Sequence, residues 1–336
     1  MKTILAADFQ LLPGEPVREG ILRIARNLAE GSRPDPKSGV EDLPQAVHVA
    51  RLALKRSRAL VRLLRPTLDP RACERPNARL RDAGRGLAEA RDAAVGLELL
   101  DQIARKQRAT ETSGLAEVRR RFAEAIRDPV HSEAQLRRGL AQAGAALRAL
   151  STALGRARWK EHGWTVVAAG LETGYRRARK RFRDAKKNRT PEAFHAWRTA
   201  AKSLLYQMEL IRPAADGRTV RWLADLEALQ SGLGKANDAS TLLARLSKKS
   251  KGLGPDDAVA AIRSHLDSRL RRMHDDALKL GRRLFADRAA DRVDRLGKAW
   301  KAWRKAKAKA KAKAKAKSKA RSNPEGRGPK KSKAPA

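Results

Sequence analysis

The hydrophobic positions of this chain recur every three or four residues, which is the spacing of amphipathic helices. No stretch of convincing length alternates apolar and polar residues with the period of two that a half-buried strand requires. Alanine, leucine and arginine are abundant, and aromatic residues make up only 4% of the chain. Such a composition favours helix over sheet. The pattern therefore predicts an all-α protein.

Proline- and glycine-rich loops divide the pattern into about four principal helices in each half of the chain. In the first half the predicted helices cover residues 17–30, 44–65, 77–106 and, with glycine and proline interruptions, 114–160. In the second half they cover residues 166–187, 191–212, 218–246 and 256–294. We expect one helical domain over residues 1–296, with its halves at about 10–160 and 161–296.

The two halves repeat one unusual segment 147 residues apart. Each copy has a histidine, His48 or His195, four residues after one proline and eighteen before another. The repeat continues downstream, where Asp92 and Asp238 occupy equivalent positions in the third helix of each half. We interpret these acids as helix caps or as ion-pair partners of basic residues. An internal duplication predicts two like modules whose surfaces can face each other.

The first histidine begins a basic stripe along its predicted helix. At 100° per residue, His48, Arg51, Lys55, Arg58 and Arg62 fall within a sector about 100° wide, with leucines on the opposite side. Like charges one turn apart destabilise an isolated helix, so the arrangement needs an explanation. One is a solvated or ion-paired face. The other is a ladder of phosphate contacts, in which guanidinium groups bind oxygens in pairs and ammonium groups act as point charges.

The second copy is weaker, because Leu205 and Glu209 interrupt its basic face. Its candidate contacts lie on one side of the predicted helix: His195, Arg198, Lys202 and Tyr206. The helix before it restores basic character, with Arg176 and Arg179 three residues apart on one face. We therefore include these two arginines among the candidate anion contacts.

The net charge of +39 over 336 residues predicts attraction to a polyanion or an acidic membrane surface. Residues 298–336 contribute +15 of it, mostly through alternating lysine and alanine. This segment lacks large apolar residues to bury along its lysine–alanine run, so we expect residues 297–336 to be a disordered basic tail. Such a tail serves solubility or tethers a polyanion, for example nucleic acid, without specificity.

Several classes of function find no support in the sequence. No window is apolar enough for a membrane span or a signal peptide, so we expect a soluble cytoplasmic protein. The remaining histidines form no metal-ligand pattern, and Gly-rich phosphate-binding motifs are missing. The single cysteine, Cys73, is interpreted as a bystander thiol. We expect no cofactor, no metal and no catalysis.

The two histidine segments and the Asp92 and Asp238 segments together resemble the signature of the CHAD family, the conserved-histidine α-helical domains. The resemblance covers residues 10 to 296. It implies two four-helix bundles related by pseudo-two-fold symmetry around a basic central channel. It also implies binding of inorganic polyphosphate and association with polyphosphate granules. Intrinsic catalysis is not known for the family.

Carried over to this chain, the resemblance and the basic helices give one set of polyphosphate contacts or their supports: His48, Arg51, Lys55, Arg56, Arg58, Arg62, Arg176, Arg179, His195, Arg198, Lys202 and Tyr206. The chain departs from the family at Leu205, where arginine is usual, and at Lys55 and Ser57, where arginine and leucine are usual. Lys55 keeps the charge but loses the bidentate geometry of arginine.

The alternative function is a nucleic-acid-binding or nucleoid-associated protein, with the lysine-rich tail as a histone-like arm. The low aromatic content argues against it, because proteins that bind single strands usually interleave aromatic and basic residues. An enzyme acting on polyphosphate would need acids that hold a metal opposite the basic stripe, and the sequence offers no such cluster.

Overall fold

The computed structural model describes residues 6–33, 39–87, 96–103, 112–126, 133–248 and 254–321. Within these ranges the all-α prediction is confirmed: no strand is present, and Leu68 and Trp159 form an isolated antiparallel bridge. The helices of the first half are α1 (Val17–Gly31), α2 (Leu43–Leu64), α3 (Pro70–Gly86), α4 (residues 96–103), α5 (Thr112–Ile126) and α6 (Glu133–Arg156). Those of the second half are α7 (Trp164–Asn188), α8 (Pro191–Glu209), α9 (Gly217–Lys248), α10 (Asp256–Leu284) and α11 (Ala289–Arg321).

The start of α3 shows how local capping overrides a periodicity estimate. The sequence pattern predicts this helix from residue 77, but the helix begins at Pro70, in the first-turn position that suits proline. The carboxylate of Asp69 accepts a hydrogen bond from the backbone N–H of Arg71 over 2.8 Å and caps the helix. Pro76 lies inside the helix and does not end it.

The predicted helix over residues 256–294 is two helices, because tertiary hydrogen bonds satisfy the carbonyl that ends the first. The Leu284 oxygen accepts hydrogen bonds from the Tyr175 hydroxyl and from the Trp222 indole N–H, both over 3.1 Å. A helix-terminal carbonyl that finds partners elsewhere no longer needs the next helical turn. The chain therefore turns at residues 285–288 before α11 begins.

Helix α2 lies at the centre of the main hydrophobic core. It packs against α1, α3 and α6 of the first half and against α7 and α8 of the second. A second cluster of buried residues, including Leu100, Val118, Leu246 and Leu266, again takes members from both halves. The two halves are thus joined by two separate apolar clusters. The basic stripe of α2 lies on the side of the helix that faces away from the larger cluster.

The contacts between α2 and α8 are reciprocal. The Arg56 guanidinium lies 3.2 Å from the Glu209 carboxylate, and Arg62 donates to the Ser203 hydroxyl over 3.3 Å. Under the 147-residue repeat, Ser203 is the counterpart of Arg56 and Glu209 the counterpart of Arg62. Each half therefore contacts the other through the same two positions, as a local two-fold axis requires. Two equivalent four-helix bundles around a channel remain a prediction.

Gly170 permits the close approach of α7 to α2. A Cβ atom at this position would lie 1.9 Å from the Leu63 carbonyl oxygen, which is backbone and cannot rotate away. We predict that Gly170→Ala forces the helices apart and lowers the free energy of unfolding by about 2 kcal/mol, measured by urea denaturation. Gly155→Ala, in open space on α6, is the control and should stabilise the chain slightly. Equal stability of the two variants would contradict the packing described.

The expectation of a disordered tail is wrong for residues 297–321, which continue α11. Trp300 is 3% exposed and anchors the start of this segment in the main core. Once a packed helix exists, alanine and lysine extend it, because the cost of nucleation has been met and both residues favour helix. Residues 322–336 of the expected tail lie outside the described residues.

Candidate anion-binding site

The basic stripe of α2 lines a cavity of about 230 Å³ between α2 and α3. Arg51, Lys55 and Arg58 reach it from α2, and Arg81 and Arg85 reach it from α3. Leu54 and Leu80, both almost fully buried, form its apolar floor. The amphipathic pattern of α2 thus sends its leucines to the core and leaves its cations around one opening.

Two further arginines extend this group. The guanidinium of Arg177 on α7 acts electrostatically on both Arg58 and Arg62. We call the seven cations the basic cleft, defined by Arg51, Lys55, Arg58, Arg62, Arg81, Arg85 and Arg177. The cleft collects positive charge from three helices, two of the first half and one of the second.

The protein holds the arginines of the basic cleft against an electrostatic penalty. Burial, followed by repulsion from Arg81, Arg85 and Arg177, lowers the pKa of Arg58, while Asp82 partly offsets the shift. Burial, with smaller contributions from Arg58 and Arg177, lowers the pKa of Arg62 to about 10. Both side chains remain charged at neutral pH. An anion in the cleft would remove much of this penalty.

Hydrogen bonding in the cleft leaves capacity for a ligand. The Nε atom of Arg58 is buried and has no hydrogen-bond partner among the described residues. Buried polar atoms in native structures nearly always have a partner, in the protein, in water or in a ligand. The guanidinium of Arg51 donates a hydrogen bond to the carbonyl oxygen of Leu87, just beyond the end of α3, and this bond fixes its position. A guanidinium held in place beside a buried N–H group without a partner is suited to binding an anion.

We predict that Arg58→Gln stabilises the free protein. The lowered pKa of Arg58 means that the folded state disfavours the charged form, so a neutral side chain of similar length removes that penalty. The melting temperature should rise by about 2 °C, as seen by circular dichroism at low salt. The rise should shrink as salt screens the repulsion. A fall in melting temperature would show that Arg58 supports the fold.

Two of the sequence-predicted residues, Arg56 and Tyr206, are largely buried, which suits the role of supports better than that of ligand contacts. Arg56 is 7% exposed, pairs with Glu209 and lies 4.9 Å above the Phe9 ring. Tyr206 belongs to the main core at 8% exposure, with the Lys202 ammonium 5.8 Å from its ring centre. Burial at the junction of α2 and α8 keeps both away from a polyanion in solvent.

The second histidine lies at a different cavity, of about 450 Å³, between α8, α9 and α10. Its Nδ1 atom is 2.7 Å from the Asn237 side-chain oxygen, so that a protonated Nδ1 donates and Nε2 remains for another partner. His274 stacks on Phe194 beside it, and burial, with repulsion from Arg189, lowers the pKa of His274 to about 4. Arg245 also lines this cavity, which is more apolar than the cleft.

The other predicted contacts are spread over the surface. His48 is exposed on α2 close to Arg51, and Arg198 and Lys202 are half-buried on α8. Arg176 is exposed and pairs with Glu172 of its own helix. Arg179 acts electrostatically on the Tyr175 hydroxyl, which lies in the core. The structure thus brings Arg177, rather than Arg176 or Arg179, to the basic cleft.

Sequence reasoning missed Arg81, Arg85, Arg177 and Asn237. The four-residue spacing of Arg81 and Arg85 on a predicted helix was a usable signal for a second basic stripe. Asn237 carried no comparable signal, because its role depends on the packing of α9 against α8. Asp92, the expected equivalent of Asp238, lies outside the described residues.

In the part of the chain that the structure describes, no group of three or more His, Cys, Asp and Glu side chains could hold a metal ion. None of the described helices is both long and apolar enough to cross a membrane. Cys73 is buried, and burial raises the pKa of its thiol to about 11, so the thiol stays protonated at neutral pH.

Comparison with known proteins supports a single assignment. The family model for the CHAD domain matches residues 24–247, about two thirds of the chain. The crystal structure of the CHAD domain from the plant Ricinus communis superposes with a TM-score of 0.57 at 19% identity, covering 84% of this chain and 96% of that one. At this identity the likeness establishes the fold alone. No curated protein matched. The chain belongs to the CHAD domain family.

Proposed function

We propose that the protein binds inorganic polyphosphate in the basic cleft. The observation that carries the proposal is the convergence of seven cations from three helices, two of them with lowered pKa values. A chain of phosphates offers an oxygen to each guanidinium along its length. It also relieves the repulsion that the free protein sustains among these side chains.

Polyphosphate suits the cleft better than a ligand with bases. The cleft floor is formed by leucines, and its walls are arginine and lysine. A linear polyanion needs no aromatic stacking surface, whereas proteins that bind single-stranded nucleic acid generally provide one. The half-buried Arg198 and Lys202 on α8 and the exposed His48 on α2 would extend the contact surface, and the exposed His195 would meet the ligand at its own cavity.

The role proposed is binding without catalysis. Guanidinium groups can hold phosphates, but hydrolysis also needs a group that activates water or a metal that does so. The cleft cations supply neither. We further propose that binding takes place in the cytoplasm, at polyphosphate granules, where a protein with net charge +39 would be retained by its ligand.

The salt dependence of binding tests the proposal. Binding of polyphosphate displaces counterions, so the affinity should fall steeply as the NaCl concentration rises. Anisotropy titrations with labelled long-chain polyphosphate measure this dependence. By analogy with nucleic acids, each cleft cation replaced by glutamine should reduce the slope of log affinity against log salt by about one. If the cleft substitutions left the slope of log affinity against log salt unchanged, polyphosphate would bind outside the basic cleft.

A nucleic-acid-binding function remains the second candidate, favoured by one observation. Helix α11 carries exposed lysines at positions 305, 307 and 309, beyond the last residues packed on the core. A cationic helix of this kind attracts any polyanion. Duplex DNA should therefore bind, but cleft substitutions should affect it much less than they affect polyphosphate.

A further inference from the structure

A cavity of about 610 Å³ lies away from the basic cleft, where the start of α1, the start of α7 and the middle of α11 meet. Its volume is within the range of small-ligand sites. Trp164 and Trp300 form part of its wall, with ring centres 5.7 Å apart. Trp300 is buried and backs Trp164, which is partly exposed. The cavity thus offers a supported indole surface to an incoming ring.

Three cations surround this aromatic wall: Arg18 on α1, and Lys301 and Arg304 on α11. Among the residues that the structure describes, none of the three forms an ion pair, and Arg304 lies 5.7 Å from the Trp300 ring centre. Glu161 is the acid on the same wall. The lining therefore keeps a net positive charge next to an apolar, aromatic surface.

Helix geometry adds to the attraction for phosphate. The first turns of α1 and α7 both open on this cavity, since Val17 and Trp164 begin these helices and line it. Unpaired backbone N–H groups and the helix dipole favour an anion there. The exposed lysines of α11 continue the positive charge beyond Arg304. A phosphate chain can thus leave the cavity along one side of α11.

We propose that this cavity holds one base of a single-stranded nucleic acid, whose phosphates follow α11. The base stacks on Trp164, the adjacent phosphate contacts Arg18, Lys301 and Arg304, and Glu161 accepts a hydrogen bond from an exocyclic amino group. Polyphosphate fits this cavity poorly, because it has no flat apolar part to fill the space beside the indoles. The site is separate from the basic cleft and does not depend on the function proposed for it.

The test is a titration of the full chain with a short single-stranded oligonucleotide of mixed sequence, followed by tryptophan emission and by anisotropy of the labelled strand. We expect quenching of tryptophan emission by the oligonucleotide and none by polyphosphate, which has no bases. Lys301→Gln with Arg304→Gln should weaken oligonucleotide binding about 30-fold, through the loss of two charge-assisted contacts. The affinity of this double variant for polyphosphate at the basic cleft should stay unchanged.

The matched control is Arg71→Gln with Arg75→Gln, which removes the same charge from exposed positions of a different helix, α3, outside the cavity. This control should weaken binding only about threefold, through general electrostatics. Equal losses in the two double variants, or no quenching, would overturn the proposal. Adenosine monophosphate binding as tightly as the oligonucleotide would also overturn it, in favour of an isolated nucleotide site. Quenching that persists in the variant with Arg58→Gln and Arg85→Gln would show that the oligonucleotide binds at this cavity and not at the basic cleft.

Discussion

Replacing Arg58 and Arg85 together by glutamine is expected to lower the affinity for polyphosphate about 100-fold at low salt, because each loses a charge-assisted hydrogen bond to phosphate. The two side chains reach the same cavity from α2 and α3, and Arg85 is one of the cations that lower the pKa of Arg58. The helices should stay intact, since the substitution relieves repulsion between them. Isothermal titration with polyphosphate of defined length, together with far-ultraviolet circular dichroism, measures both effects.

Arg71→Gln with Arg75→Gln is the matched control for this loss. Both arginines are exposed on α3, the helix that carries Arg85, and neither lines the cavity. The control removes the same net charge and should reduce affinity less than about threefold, through weaker long-range attraction alone. If both pairs weakened binding equally, the protein would act as a general basic surface and the cleft would have no special part.

The second large effect is on stability and concerns the ion pair between α2 and α8. Arg56→Ala leaves the half-buried Glu209 carboxylate without this partner and removes the packing of Arg56 on Phe9. Breaking a largely buried pair from one side is expected to lower the free energy of unfolding by about 3 kcal/mol at neutral pH. Urea denaturation measures this loss. Arg56→Met with Glu209→Leu should recover most of it, because no charge is then buried.

The pH dependence of this effect follows from Glu209. Burial raises its pKa above the ordinary 4.5 even with Arg56 present, and removing Arg56 raises it further. An acid whose folded-state pKa is raised binds its proton more tightly when folded, so the variant gains stability as pH falls from neutral toward 4.5. The gap between Arg56→Ala and the parent should therefore narrow on acidification. A constant gap, or a double variant as unstable as the single one, would show that Glu209 carries no buried charge.

Much of the fold could be predicted from the chain because the signals are local. The amphipathic period of α2 and the prolines at its start and end fix that helix to within a residue at each end. The break between α10 and α11 was missed, since it depends on hydrogen bonds from Tyr175 and Trp222 that come from distant parts of the sequence. Charge repulsion along the lysine–alanine run predicts disorder, but helix propensity and the packed start of α11 extend the helix through residue 321.

The candidate site was predictable on one helix only. The angular positions of Arg51, Lys55 and Arg58 place them on one side of α2, and the structure puts them around one cavity. Arg56 has a similar charge, but its contact with Glu209 is set by the packing of α8, which a single-helix projection cannot give. For the same reason the projection of α7 selected Arg176 and Arg179 rather than Arg177, the arginine that acts on Arg58.

The most direct test of the basic cleft is a competition titration. Fluorescent long-chain polyphosphate is bound to the full chain at near-physiological salt and then challenged with excess duplex DNA, in parallel with the Arg58→Gln, Arg85→Gln variant. We predict that polyphosphate stays bound to the parent protein and is displaced from the variant, because the proposed site would hold phosphates through charge-assisted hydrogen bonds from its guanidinium groups. Displacement from both proteins at the same DNA concentration would contradict a dedicated polyphosphate site.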